Sequence, residues 1–147
     1  MSFYVIVFID FFNFANEMIS LGLGMLLTGI KKTMSKQPLV SIIMNCYNGE
    51  EFLQEALESV QAQTYKNWEL IFWDNQSSDK SSTILKSFNE PRFRYYYAEE
   101  HRNLYDSRNL AIQVSKGDFI AFLDSDDSWI PKKLEIQLPY FDDPKVA

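Results

Sequence analysis

From Leu39 onward, short apolar and β-branched runs alternate with segments of helical periodicity, and several of the runs end in polar clusters. That alternation constrains the fold more than any other feature, because strands separated by helices feed a parallel sheet covered on both faces. Leu39 to Tyr47 (LVSIIMNCY) is the first such run. Asn48 is expected to cap a helix, with Glu51 in the capping-box position, and Phe52, Leu53, Ala56, Leu57 and Val60 form one apolar stripe reaching to Gln63. Trp68 to Trp73 (WELIFW) reads as the second strand, closed by Asp74, and Asn75 to Ser78 as a polar turn. Asp79 to Phe88 reads as a second helix with Ile84, Leu85 and Phe88 facing inward, ended by Pro91. Phe93 to Ala98 is a short aromatic strand, Tyr105 to Val114 a third helix, and Gly117 resets the chain for Phe119 to Leu123 (FIAFL). The pattern predicts an α/β fold, βαβαβαβ, and Pro131 suits the first turn of a last helix carrying Leu134, Ile136 and Leu138.

Residues 1–35 differ in character from the remainder of the chain. The stretch from Phe3 to Ile30 is apolar but broken by Asp10, Asn13, Asn16 and Glu17. A membrane span needs roughly 20 apolar residues, and a central Asp costs about 2.5 to 3.5 kcal/mol on insertion scales, so a spanning helix is disfavoured. A secretory signal fits worse, since no positive charge precedes the apolar run. The reading given most weight is an extension upstream of a start at Met34 that adds nothing to the fold. An interfacial or buried helix and a true span stay open beside it. Residues 36–147 are expected to hold the folded domain. In a chain of 147 residues, 46% hydrophobic and 16% aromatic, they can bury a sizeable core.

Charge and cysteine content exclude several chemistries. With 14 Lys and Arg against 20 Asp and Glu, net charge -6, no basic surface is available to wrap nucleic acid, and any anionic ligand must be bound locally. The single cysteine, Cys46, has no disulfide partner, and with it the lone His101 cannot assemble a zinc set. A reducing, cytoplasmic location and oxygen-ligated metals are the consistent expectation.

In an open α/β sheet the ligand sits beyond the carboxyl ends of the strands. Three strand ends here are polar: Tyr47 and Asn48 after the first, Asp74, Asn75 and Ser77 after the second, and Asp124-Ser125-Asp126-Asp127 after the fourth. Three carboxylates held close repel unless a cation or a proton relieves them. Mg²⁺ or Mn²⁺ takes one or two carboxylates and fills its other positions with water and phosphate oxygens, so a diphosphate suits this rim. A solvated acidic loop capping the next helix accounts for the cluster equally well on its own.

Three motifs in order decide between these readings. The opening PLVSIIMNCYNGEEFLQEALESVQAQTYKNWELIFWDNQSSDKS, the middle EEHRNLYDSRNLAI and the acidic KGDFIAFLDSDDSW, together spanning Pro38 to Phe141, resemble the family 2 glycosyltransferases of the GT-A fold. The resemblance implies a Rossmann-like, mostly parallel sheet with flanking helices, incomplete at the C-terminus, and an inverting sugar transfer from a nucleotide diphosphate donor. It places Tyr47, with Asn48 and Glu50, beside the nucleotide base. Asp74 matches the acid that accepts a hydrogen bond from the base, which favours UDP- or dTDP-sugars. Asn75 and Gln76 depart there from the commoner Asp-Gly, and Leu104 and Leu110 replace small glycines near Arg108, whose guanidinium would face the nucleotide. In Asp124-Ser125-Asp126, read as the family's DxD motif, the first carboxylate approaches the ribose and Asp126, with Asp124, serves the Mn²⁺ or Mg²⁺.

The carboxylate base of an inverting transferase is expected downstream of Ala147, so this chain reads as a truncated nucleotide-sugar-binding half with no catalytic residue of its own. A glycan or lipid-linked acceptor is implied, with work at the inner face of the membrane. Two rivals stand against this. One is a non-catalytic module that holds nucleotide sugar without transfer. The other, a phospho-receiver domain, needs a Lys after a late strand that no strand here delivers.

Overall fold

The computed structural model describes residues 37–142. Expectations for residues 1–35 lie outside them. Four parallel strands, β1 (Val40–Cys46), β2 (Trp68–Asp74), β3 (Phe93–Tyr97) and β4 (Phe119–Phe122), stand in the order β3-β2-β1-β4. Between and after them run α1 (Leu53–Gln61), α2 (Ser81–Ser87), α3 (Leu104–Gln113) and α4 (Lys133–Gln137), the last continuing as a 3₁₀ turn over Leu138–Asp142. Because crossovers are right-handed, a chain that steps outward from β1 to β3 and then reverses to β4 must place α3 on the face opposite α1 and α2.

The side chains of β1 divide accordingly. Val40, Ile42, Met44 and Cys46 join the larger core with Leu53, Ala56, Leu57 and Val60 of α1, Leu85 of α2 and Leu134 of α4. Ile43 faces the other way, into a smaller cluster with Ile71, Ala111 and Ile120, flanked by partly buried Trp73, Tyr96, Ile112 and Phe122. Strands buried on both faces read as unbroken apolar runs, which is why period-2 alternation is missing from them.

Element boundaries moved where specific side-chain hydrogen bonds overrode pattern. Asn48 is not the N-cap of α1: it sits in the left-handed region at φ 53°, and the helix starts only after Phe52, with no side-chain cap. Asp79 lies outside α2, its carboxylate accepting from the Ser81 N–H at 2.9 Å. Helix α3 begins one residue earlier than expected because Asn103 caps it, accepting from the Asp106 N–H at 3.0 Å. Ile136 is 49% exposed, so α4 presents Leu134 and Leu138 to the core without it.

The amino-terminal end of the sheet is fastened by one buried carboxylate. Glu69 accepts from the Ser41 hydroxyl and the Lys116 N–H, each at 2.7 Å, and pairs with Arg94 at 2.7 Å. Ser41 Oγ in turn accepts from the Gly117 N–H at 2.8 Å. Gly117 approaches so closely that a Cβ there would lie 2.5 Å from the Ser41 backbone nitrogen, so no side chain fits. Burial alone would raise the Glu69 carboxyl, but the Ser41, Arg94 and Lys116 hydrogen bonds outweigh it and hold the group below its ordinary range. The resulting stabilisation is present above the unfolded value of about 4.3 and is lost as pH falls through the lower folded value. Glu69→Gln should therefore cost about 1–3 kcal/mol at neutral pH, and urea unfolding should show the deficit shrinking in acid. A deficit independent of pH would contradict this account.

Candidate functional site

Strand order reverses at β1, which pairs with β2 on one side and β4 on the other. The carboxyl ends of β1 and β4 are therefore the switch point beyond which an open α/β sheet takes its ligand. Gly49 and Ser125 meet there. A Cβ on Gly49 would lie 2.9 Å from Cys46 Sγ and 3.1 Å from Ser125 Oγ, so the β1 loop packs tightly against the acidic loop here and a side chain would enter only if Cys46 and Ser125 shifted. Tyr47, 57% exposed, projects at this edge and meets the His101 ring edge-on, centroids 4.5 Å apart.

The β1 and β2 loops are laced together. The Asn48 N–H donates to Ser77 Oγ at 3.0 Å, and Asn48 Oδ1 accepts from the Ser78 N–H at 2.8 Å. Gly49 N–H donates to Ser81 Oγ at 3.0 Å, Glu50 N–H to Asp79 at 2.9 Å, and Lys80 N–H to the Glu50 carboxylate at 3.0 Å. Asn48 and Glu50 thus spend their side chains on the neighbouring loop. Burial works against Asp79, yet the Ser81 and Glu50 hydrogen bonds hold its carboxyl below the usual range.

Asp74 belongs to the same frame. It is the last residue of β2, 1% exposed, and its two oxygens accept from the Ser77 N–H at 2.7 Å and the Tyr95 hydroxyl at 2.8 Å. Burial, then the adjoining Asp74 carboxylate, pushes the Tyr95 phenol up, which keeps it a proton donor. Beside Asp74, Asn75 is pinned at three points. Its Nδ2 donates to Arg102 O at 2.7 Å, and its Oδ1 accepts from the Arg102 N–H at 3.1 Å and the Ser107 hydroxyl at 3.2 Å. His101 Nδ1 lies 2.9 Å from Asn75 O, so that nitrogen carries the proton.

On the β4 side, Arg108 of α3 pairs with Asp124 at 2.6 Å while its guanidinium lies over the Phe122 ring, 5.1 Å from the centroid. An internal cation therefore relieves part of the repulsion that the sequence assigned to a metal. Asp126 and Asp127 are exposed, and Ser125 is half-buried against Gly49. Among the described residues no group of three or more His, Cys, Asp and Glu side chains is arranged to hold an ion. Burial pushes the Cys46 thiol up, against hydrogen bonds from Ser81, Gly49, Ser77 and Ser125, so it is poorly suited as a nucleophile.

Between the β1 end and α3 lies a cavity of about 260 Å³ bordered by Asn45, Tyr47, Asn75, His101 and Ser107. Of these, Asn45, His101 and Ser107 were not singled out from the sequence as site residues. The available signal was Asn45, the lone carboxamide in a mostly apolar strand.

The model of the family described as Glycosyl transferase family 2 matches residues 41–147. A curated relative, the UDP-Glc:alpha-D-GlcNAc-diphosphoundecaprenol beta-1,3-glucosyltransferase WfgD of Escherichia coli, is 44% identical over 100 residues, covering 68% of this chain and 40% of that protein. The chain thus spans well under two thirds of that relative's length. Among solved structures, S. aureus TarS in complex with UDP-GlcNAc superposes with TM-score 0.65 at 26% identity, over 70% of this chain and 31% of that one. The mannosyltransferase PcManGT from Pyrobaculum calidifontis, in complex with GDP-Man and Mn²⁺, gives 0.69 at 21% identity over 75% and 34%, which bears on the fold.

Since Asp74 is engaged within the fold at both oxygens, Asp74→Asn should destabilise the apo protein by about 1–3 kcal/mol, read by urea unfolding without ligand. Unchanged apo stability would mean the carboxylate is held for a ligand alone.

Proposed function

The chain belongs to glycosyl transferase family 2, and from that premise we propose that residues 37–142 form the part of a glycosyltransferase that binds the nucleotide diphosphate sugar with the help of Mn²⁺ or Mg²⁺. The observation that carries the reading is the packing of Gly49 on Ser125, which joins the Tyr47 loop to the acidic loop at the point where strand order reverses. A base beside Tyr47 and a diphosphate beside Asp124 and Asp126 would then lie along one rim.

The site residues divide by what they do. Tyr47 packs against the base, Arg108 and Asp124 face the ribose and phosphates, and Ser125 lines the passage between them. Asn48, Glu50 and Asp74 act through the loops they hold. Asp126, with Asp124, would hold the cation: two exposed hard-oxygen donors suit an ion that takes its remaining ligands from water and phosphate. When bound, that ion supplies Lewis-acid neutralisation of the leaving nucleoside diphosphate. Arg108, already paired with Asp124, keeps a second positive charge at the same place.

The relative's name supports UDP-glucose as a donor class and a diphosphoundecaprenol-linked sugar as an acceptor class. We carry over the nucleotide-sugar donor, UDP- or dTDP-linked, and a glycan or lipid-linked acceptor, with transfer by inversion. The work would be done at the cytoplasmic face of the membrane. No helix among the described residues is long and apolar enough to cross a membrane.

Calorimetry tests the reading. UDP should bind in the presence of Mn²⁺, with affinity falling about tenfold or more when the metal is removed or in Asp126→Ala, the loss of one charge-assisted contact. Equal affinity in all three conditions, in folded protein, would remove the metal role. Absence of UDP and dTDP binding would remove the function.

A further inference from the structure

Asn45 is the one polar side chain at the carboxyl end of β1 that lacks a partner. Both its Nδ2 and its Oδ1 are shut from water without a hydrogen bond, although the residue itself borders the 260 Å³ cavity. Buried amides are nearly always satisfied, so an orphaned one calls for an explanation. Its neighbour Asn75 shows the contrast, because three hydrogen bonds fix that carboxamide's orientation. Nothing comparable fixes Asn45. No hydrogen bond holds its amide in place, and the cavity it borders is walled by the Tyr47 and His101 rings, which offer faces and edges to a flat ring.

We propose that Asn45 reads the polar edge of the nucleobase, and that its unpinned carboxamide lets the cavity accept pyrimidines of either donor and acceptor order. This rests on the nucleotide-binding function proposed above and names a residue that decides base choice within it. A uracil edge offers an N3–H donor beside a carbonyl acceptor; the edge of cytosine offers an N3 acceptor beside an amino donor. A carboxamide carries one acceptor and one donor side by side and meets both edges by a half-turn of its terminal torsion. Asn75 cannot adapt in this way, since its Oδ1 already takes two donors.

The experiment is calorimetry of the full chain with UDP, CDP and N3-methyl-UDP in Mn²⁺. The wild type should bind UDP and CDP within about threefold of each other and N3-methyl-UDP about tenfold or more weakly, the loss of one hydrogen bond with its partner left buried. Asn45→Leu should keep or raise the melting temperature, as the orphaned amide is gone, and lose about tenfold in affinity for both UDP and CDP. Asn45→Asp, an acceptor only, should prefer UDP to CDP by about tenfold. Should Asn45→Leu fail to fold, the methylated ligand and the Asp variant decide alone. UDP binding that is indifferent both to N3-methylation and to Asn45→Asp overturns the inference while leaving nucleotide binding in place. Failure of every nucleotide to bind wild-type protein overturns both.

Discussion

Everything at the rim depends on β1 being paired in parallel on both sides. Its hydrogen bonds to β2 run from Val40 to Cys46, and those to β4 from Val40 to Ile43. A strand so placed must be buried on both faces, which accounts for its apolar run. It also sits where the chain reverses direction across the sheet, the place at whose carboxyl end an open α/β sheet offers a ligand its opening. The fastening of Ser41, Glu69 and Gly117 lies at the far end of the sheet from this opening. On the proposed reading, stability and ligand chemistry are therefore separated along the strand axis.

At the open end, many polar residues serve as framework. Asn48, Glu50, Ser77, Asp79 and Ser81 hold two loops against each other, and Asp74 anchors the base of that lattice through Ser77 and Tyr95. Each such bond is worth about 0.5–1.5 kcal/mol net, so the gain lies in fixing where Tyr47 and Gly49 sit more than in stability. Preorganised groups bind a ligand without first spending its contacts on ordering the loop. The Arg108 to Asp124 pair does the same on the β4 side, holding charge of both signs in place.

The sheet and its order of elements were legible in the sequence because apolar runs and helical stripes are local signals. Leu39–Tyr47 and Trp68–Asp74 needed no knowledge of their neighbours. What escaped was what depends on contacts between distant segments. Asn48 looked like a cap because a polar residue before a helical stripe commonly is one; its partners Ser77 and Ser78 lie 29 and 30 residues away. The Tyr95 hydroxyl on Asp74 escaped in the same way, because it comes from a strand 21 residues further along. A salt bridge for Arg108 was foreseeable, but not that its partner would be Asp124, 16 residues further along, and Asn45 escaped because its lack of a partner is a property of the folded chain alone. The three polar strand ends were nevertheless legible as neighbours, since parallel topology brings all carboxyl ends to one side.

The central claim is that these ends form one nucleotide-diphosphate site. Paramagnetic broadening by Mn²⁺ in ¹H–¹⁵N spectra, recorded with and without UDP, tests it directly. With UDP present, broadening should be strongest at Asp124 to Asp127 and reach Tyr47 to Gly49 and Arg108, while UDP with diamagnetic Mg²⁺ shifts the amides of Asn45 to Asn48, Asn75 and His101. Resonances of Glu69 and Lys116, at the opposite end of the sheet, should stay unchanged. Broadening and shifts centred on that far end, or spread evenly over the surface, would contradict the account.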